Sequence, residues 1–445
     1  MGCSVLGGQV IFSRRSWLSV TAAGACGALA TAGRLGAWQT LMDADRARRI
    51  RRVIEDYGQQ GFHRTGTAVD RRSGDWLFEQ VDRIGVAAAR EPFSLSRIDP
   101  GACRLLVEGR SVEGLPLFDG TFTGTDGVRG RLGPIDADTE IGLVDAPPNT
   151  AAAGPLGDAR RRQRHKAIVC ATRGGRAGLC PNNADAFLTP FGPPVLQVSS
   201  EDLPRLREYA ERRTAVHLIA SVTRTPATSF NVTARIPGVS RSAPPLVVMT
   251  PRSGWYASAS ERGGGIACWL ELMRTLQHAR PPRDVLFVAS SGHELGHLGI
   301  DAFVASRPGI VSGAVGWMHF GANIGAAMRP DTIARASDDD PERRHAAAAM
   351  SSGNTIQASD DRGESVLSRA MMAVGLGISR RIPRGTVPGG EAEVVHRNGG
   401  RYVSVIGSNA LFHHPDDRGA KTADIDMIER FTEAFAAVAE ILSAG

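Results

Sequence analysis

The chain has 445 residues, of which 42% are apolar and 22% charged, with a formal net charge of +6. These values exclude a disordered or fibrous chain and allow two domains with sizeable cores. The densest basic run, residues 160–166, has no interleaved aromatics, so it reads as a solvated linker and argues against nucleic acid as a partner.

Near the N-terminus, Ser13-Arg14-Arg15-Ser16-Trp17-Leu18 resembles a twin-arginine export signal. A weakly apolar stretch follows at 18–32, and Ala30-Thr31-Ala32 suits a small-residue cleavage site. The stretch is too short for a stable membrane span. Residues 1–37 are expected to be a signal segment, and the mature protein to be exported, periplasmic or secreted. Cys3 and Cys26 fall in this segment. Cys170 and Cys180 bracket a loop and read equally as a disulfide of an oxidising compartment or as two buried thiols. The absence of C-x-x-C argues against a cysteine zinc site.

Residues 38–99 read as a helical part, with an amphipathic helix at 41–57 and a second at 76–84 that ends at Gly85. Residues 100–226 alternate short apolar runs with Gly, Pro and Asp turns, as a mostly β domain does, with one helix at 203–213. From 227 to the end the pattern is α/β. A strand at 245–249 leads through a Gly/Ser loop into a helix at 266–277, with Ile266, Leu270, Met273 and Leu276 on one face. Pro281 and Pro282 end it before a strand at 285–289. Strand–loop–helix–strand is the grammar of a parallel sheet. Residues 337–363 read as a loop or insertion, 366–374 as a helix and 401–406 as a strand. Asp424 is expected to cap a final helix whose Ile425, Ile428, Phe431, Phe435, Val438 and Leu442 face the core.

The strand at 285–289 runs into Ser290-Ser291-Gly292-His293-Glu294-Leu295-Gly296-His297. Ligands of open α/β sheets collect at the carboxyl ends of strands. One reading takes H-E-x-x-H literally: a single helix would set His293 and His297 one turn apart on a zinc, with Glu294 activating water. Three glycines, Gly292, Gly296 and Gly299, weaken such a helix.

The other reading uses the flanks. WLELMR (269–274), GHELGHLGI (292–300), ATSFNVTARIPG (227–238) and FHHPDD (412–417) resemble motifs of the co-catalytic zinc aminopeptidases, the group of aminopeptidase Y and bacterial leucyl aminopeptidases. HKAIVCATRGG (165–175) and FGPPVLQVSSEDLPRL (191–206) resemble the protease-associated domain often inserted in them. The resemblance implies an α/β fold with a mostly parallel twisted sheet flanked by helices, and an inserted, mostly β protease-associated domain.

Matched position by position, the family's first ligand His falls within Thr250-Pro251-Arg252-Ser253, where neither His nor Asp occurs. The bridging Asp falls on Glu261 and the general-base Glu on His293. Glu294 and His413 retain ligand positions, and a ligand Asp falls near His319. The resemblance thus implies zinc, one ion or two. Glu261, Glu294 and His413 would hold one ion, His319 would support a second or altered site, and His293 would act as base. Arg252 and Arg262 would face the cleft, where a guanidinium can grip a substrate carboxylate. The expected function is an exported, metal-dependent hydrolase of peptide or other small amide bonds. The alternative is a non-catalytic binding protein that keeps the fold and the cleft. A serine nucleophile in the loop is a weaker reading, because no G-x-S-x-G elbow is present.

Overall fold

The computed structural model describes residues 45–327 and 353–444. The expected export signal and the first half of the expected loop at 337–363 lie outside the described residues. No helix among those described is long and apolar enough to cross a membrane.

The chain opens with two helices, α1 (Arg46–Gln59) and α2 (Ala68–Ile84). α1 buries Ile50, Ile54 and Tyr57, the stripe that its spacing predicts. α2 starts well before the expected 76, because the Thr67 side chain caps it by accepting from the Asp70 N–H. Its C-cap is Gly85, at φ 82°.

Next come β1 (Ala88–Val107), β2 (Arg110–Pro116), β3 (Val128–Pro134), β4 (Ile141–Ala146), α3 (Gly154–Arg162), β5 (Ala167–Thr172), β6 (Val195–Ser199), α4 (Leu203–Glu211) and β7 (Ala215–Ile236). β1 and β7 form one long antiparallel ladder, from Ala88 opposite Ala234 to Val107 opposite Val216. A register shift between Pro100 and Cys103 interrupts it once. The segment between them has its own core, with Leu105, Leu132, Val169, Leu196, Leu206 and Leu218 buried together. The expected boundaries near 100 and 226 fall inside this ladder, where Ser96 pairs with Pro226 and Asp99 with Thr223.

The remaining elements are β8 (Leu246–Pro251), α5 (Gly263–Ala279), β9 (Val285–Ser290), α6 (Leu298–Ala305), α7 (Ile310–Gly313), β10 (Gly316–Phe320), β11 (Asn354–Ala358), α8 (Asp361–Ala373), β12 (Ile378–Arg381), α9 (Ala392–Arg397), β13 (Tyr402–Ile406) and α10 (Ile425–Ala444). β11 and the start of α8 replace the end of the expected loop. Asp424 caps α10 by accepting from the Met427 N–H.

The sheet order is β1-β2-β6-β5-β4-β3-β7-β9-β8-β10-β13-β11-β12. β9, β8, β10 and β13 run parallel to one another, so their carboxyl ends share one edge. Side chains alternate faces along a strand. Val247, Met249 and Val288 accordingly pack with Phe303, Trp317 and Tyr402 on one face. Phe287, one residue out of phase, meets Trp269 of α5 edge-on at 5.5 Å on the other. Both faces are covered, which is why these strands read as unbroken apolar runs.

Candidate functional site

Four parallel strands deliver the candidate residues to one edge. Arg252 and Ser253 follow β8, His293 and Glu294 follow β9, His319 lies in β10, and His413 sits in the loop after β13. Glu261 and Arg262 immediately precede α5. Asp417 fixes their loop: it accepts from the Ser260 N–H at 2.9 Å, the Ser260 hydroxyl at 2.7 Å and the Glu261 N–H at 2.9 Å.

After β9 the chain makes a tight turn. Gly292 lies at φ 86°, a short 3-10 turn covers His293–Leu295, and Gly296 and His297 lie at φ 74° and 66°. Left-handed residues on both sides exclude one continuous α-helix. The literal H-E-x-x-H reading therefore fails. The His293 and His297 rings sit 5.1 Å apart, but not as neighbours along a helix.

At the centre of the site is a guanidinium. Arg262 is 1% exposed. Its Nη2 donates to Glu294 Oε1 at 2.7 Å and lies 2.9 Å from Glu261 Oε1, an ion pair out of line for a hydrogen bond. Its Nε donates to Ser253 O at 2.7 Å. Ser253 Oγ in turn donates to Glu294 Oε2 at 2.7 Å and accepts from the Gly292 N–H, which makes it a brace rather than a free nucleophile. Burial opposes the Arg262 charge, but Glu261 and Glu294 outweigh it and raise its pKa. Burial likewise raises the pKa of Glu261, with Arg262 pulling the other way.

The imidazoles are neutral. Burial lowers His413 and His297 to about 3 and His319 to about 4, and it drives His293 well below the ordinary value. Arg262 adds to the effect at His293 and His413. His413 Nδ1 donates to Pro181 O at 2.6 Å, which leaves a lone pair on Nε2, 3.6 Å from Glu261 Oε1. His319 Nδ1 bonds Ser404 Oγ at 2.8 Å. Glu391, which the sequence reading missed, is fully buried and lies 3.8 Å from His293 Nδ1. It stands at the head of α9, remote in sequence from every motif. Several buried polar atoms here lack a hydrogen-bond partner: Glu261 Oε1, Arg262 Nη1, His293 Nδ1, His319 Nε2, Glu391 Oε2 and His413 Nε2.

The structure thus brings Glu261, Glu294 and His413 around Arg262, and sets His293 and His319 beside them with Glu391. Arg252 lies apart: it is fully buried, and its guanidinium donates to Asp70 O, Asp70 Oδ1 and Phe230 O. That placement makes it a strut between α2 and β7 and gives it no face toward the cleft.

Zinc requires ligand atoms at about 2.0–2.3 Å. Among the described residues no group of three His, Cys, Asp or Glu side chains is arranged to hold a metal ion. The physical reason is Arg262, whose charge and volume fill the space between the two carboxyl groups. As arranged, these residues do not fit a bound zinc.

A strap at 177–184, between β5 and β6, lies against the site. Beyond Pro181, its Ala177 O accepts from His414 Nε2 and its Leu179 O from the Tyr256 hydroxyl. The Ala184 N–H donates to Glu294 O at 2.8 Å. Cys170 and Cys180 are both free thiols, buried on either side of the strap's start. Beside the strap, a cavity of about 10 Å³, room for a single water, is lined by Arg64, Thr65, Phe118, Trp255, Glu294 and Leu295.

No family model matches the chain, and no curated protein is similar to it in sequence. Solved structures share its fold. A zinc aminopeptidase from Bacillus subtilis, BSAP, superposes with a TM-score of 0.67 at 16% identity, over 88% of this chain and 93% of that one. An aminopeptidase from Aneurinibacillus sp. strain AM-1 gives 0.65 at 13% identity, over 88% and 92%. A peptidase M28 precursor from Shewanella amazonensis SB2B gives 0.67 at 14% identity, over 90% and 95%. The chain therefore has the fold of the zinc aminopeptidases.

Proposed function

We propose that this protein is an exported, peptidase-like binding protein that takes the amino-terminal end of a peptide, or a similar small amide, without hydrolysing it. The observation that carries the reading is Arg262 seated between Glu261 and Glu294, 2.9 and 2.7 Å from their oxygens. A buried guanidinium there supplies the positive charge the two carboxyl groups need. It cannot deprotonate a water at neutral pH as a metal does. The ligand class follows from what is left unpaired. Two carboxyl groups, Glu261 and Glu294, share the Arg262 guanidinium, Glu391 lies buried by His293, the imidazoles are neutral, and Glu261 Oε1 and Glu391 Oε2 lack donors. A ligand ammonium brings three N–H donors and one positive charge. The protein names of the similar structures point to peptide amino termini as well. Export through the Arg14-Arg15 segment and a protease-associated character for the insertion belong to the same reading.

The second reading is a metal-dependent hydrolase, in which Glu261, Glu294 and His413 would hold zinc. It is favoured by the facing, unpartnered atoms His413 Nε2 and Glu261 Oε1. One experiment separates the two. Elemental analysis is run on the purified mature chain and its His413→Ala variant, beside calorimetric titration with short peptides bearing free or acetylated amino termini. The binding reading expects no stoichiometric zinc, no cleavage, and heat only from the free amine. Zinc lost in His413→Ala, together with cleavage, would establish the hydrolase instead.

A further inference from the structure

A cleft of about 770 Å³ shares no residue with the site around Arg262. That volume suits a small ligand, and the topology explains where it lies. β3, β4, β5 and β6 stand side by side and parallel, so their carboxyl ends share an edge. Side chains of β4 alternate between the two faces of the sheet. Leu143 packs with Leu203 and Leu206 of α4 on one face, and Val144 packs with Leu156 of α3 on the other. The two helices therefore part at the end of β4, and a crevice opens between them, the place where open α/β sheets receive ligands. Leu143, Val144, Leu156 and Leu203, all buried, form its apolar floor.

The charges of the cleft are sorted by sign along the strand order. Toward β5, Arg173 and Arg207 both pair with Asp145, Arg207 at 3.2 Å. One carboxyl group cancels only one of two guanidinium charges, so a positive charge is left over at this end. Toward β3 lie Asp136, just past the end of that strand, and Glu211, one turn beyond Arg207 on α4. α4 starts after β6 and ends beside β3, where the Leu132 N–H donates to Thr214 O, so it carries Arg207 and Glu211 across the cleft in that order. Asp136 and Glu211 are both exposed. Two strand spacings separate β3 from β5, about 10 Å. We propose that this cleft binds a short apolar peptide whole, its carboxylate held by Arg173 and Arg207 and its ammonium by Asp136 and Glu211. An extended chain advances about 3.3 Å per residue, so about three residues span the two charged ends. A guanidinium grips a carboxylate through paired N–H donors, and the apolar side chains of the peptide rest on the leucine floor. The cleft does not depend on the reading of the Arg262 site, which concerns an amino terminus alone.

The test is calorimetric titration of the full chain with trileucine, free at both ends or amidated at the carboxyl end. The readout is the binding step that needs a free carboxylate, which the Arg262 site does not require. The variants are Arg207→Ala, Glu211→Gln and Ala153→Trp, all at exposed positions that line the cleft. Arg173 still pairs with Asp145 when Arg207 is cut back, and the indole of Ala153→Trp fills the cleft from its rim. The wild type should show a carboxylate-dependent step. Arg207→Ala and Glu211→Gln should each weaken it roughly tenfold, and Ala153→Trp should abolish it. The proposal is overturned if the wild type shows no such step, or if the step persists unchanged in Ala153→Trp. Heat that amidation leaves untouched belongs to the Arg262 site, so the two readings succeed or fail separately.

Discussion

His413 Nε2 and Glu261 Oε1 face each other at 3.6 Å in a fully buried corner, and neither has a hydrogen-bond partner. The Nδ1 proton is committed to Pro181 O, so both facing atoms are acceptors when Glu261 is ionised. Glu294, by contrast, accepts from both Arg262 and Ser253. The two glutamates therefore differ in what they contribute. Glu261→Gln also removes a carboxyl charge 2.9 Å from the Arg262 guanidinium, but its amide N–H can donate to His413 and offset part of that loss, so it should cost less than the Glu294 change. Glu294→Gln weakens the partner of a buried guanidinium and should cost roughly 3–5 kcal/mol. Urea unfolding of the two variants checks the order, and equal losses would refute it.

Asp70 joins α2 to the sheet. It accepts from Arg252 Nη1 at 2.9 Å, from the Ser291 and Ser229 hydroxyls at 2.8 and 2.6 Å, and from the Gly66 N–H. Arg252 and Asp70 are 0% and 1% exposed. Asp70→Ala strands a buried arginine and should cost about 3–5 kcal/mol. Equilibrium unfolding measures it, and a loss below about 1 kcal/mol would contradict the strut assigned to Arg252.

Acid should destabilise the fold early. Burial holds His63 and His319 at about 4 and His297 and His413 at about 3, against 6.5 in the unfolded chain. Above pH 6.5 both states are neutral and this contribution is complete. As pH falls toward 3, the unfolded chain takes up protons that the folded one refuses, and stability is lost. Asp417 works in the opposite sense. Burial lifts it from 3.8 to about 6, so its contribution is full below 3.8 and is lost as pH rises through 6. Asp417→Asn removes that offset, worth roughly 3 kcal/mol across the window. Denaturation midpoints taken between pH 7.5 and 4.5 should fall more steeply in the variant, and parallel profiles would count against the assignment.

A Cβ on Gly264 would lie 1.8 Å from Ile324 O, because the start of α5 presses on the loop after β10. Gly264→Ala should cost 3 kcal/mol or more, by order of magnitude, or prevent folding. Gly316→Ala, whose nearest neighbours are 4.0 Å away, should be nearly silent. Expression and melting of the pair test the packing that sets Arg262 in place.

The strands that carry the site were legible because they are buried on both faces: 245–249 and 285–289 match β8 and β9 within two residues at each end. The helix stripe at Ile266, Leu270, Met273 and Leu276 was legible for the same reason. β1 was not, because its Arg90, Glu91, Ser94 and Arg97 line a partly exposed ladder without a clean alternation. Glu261 and Glu294 could be placed by motif position. Arg262 was expected to face the cleft as a substrate anchor, but its seat between Glu261 and Glu294 could not be read, since neighbours at a helix start differ only in which way a long side chain leans. Glu391 was invisible because it reaches the site from a turn about a hundred residues downstream of His293.

The ladder of β1 and β7 gives the segment between them and the rest of the chain a common pair of girders. A hinge needs soft backbone, and a continuously paired ladder offers it only where pairing lapses, between Pro100 and Cys103. Cutting the chain near 100 and 226 would leave both pieces with raw, unpaired edges prone to stick to other chains.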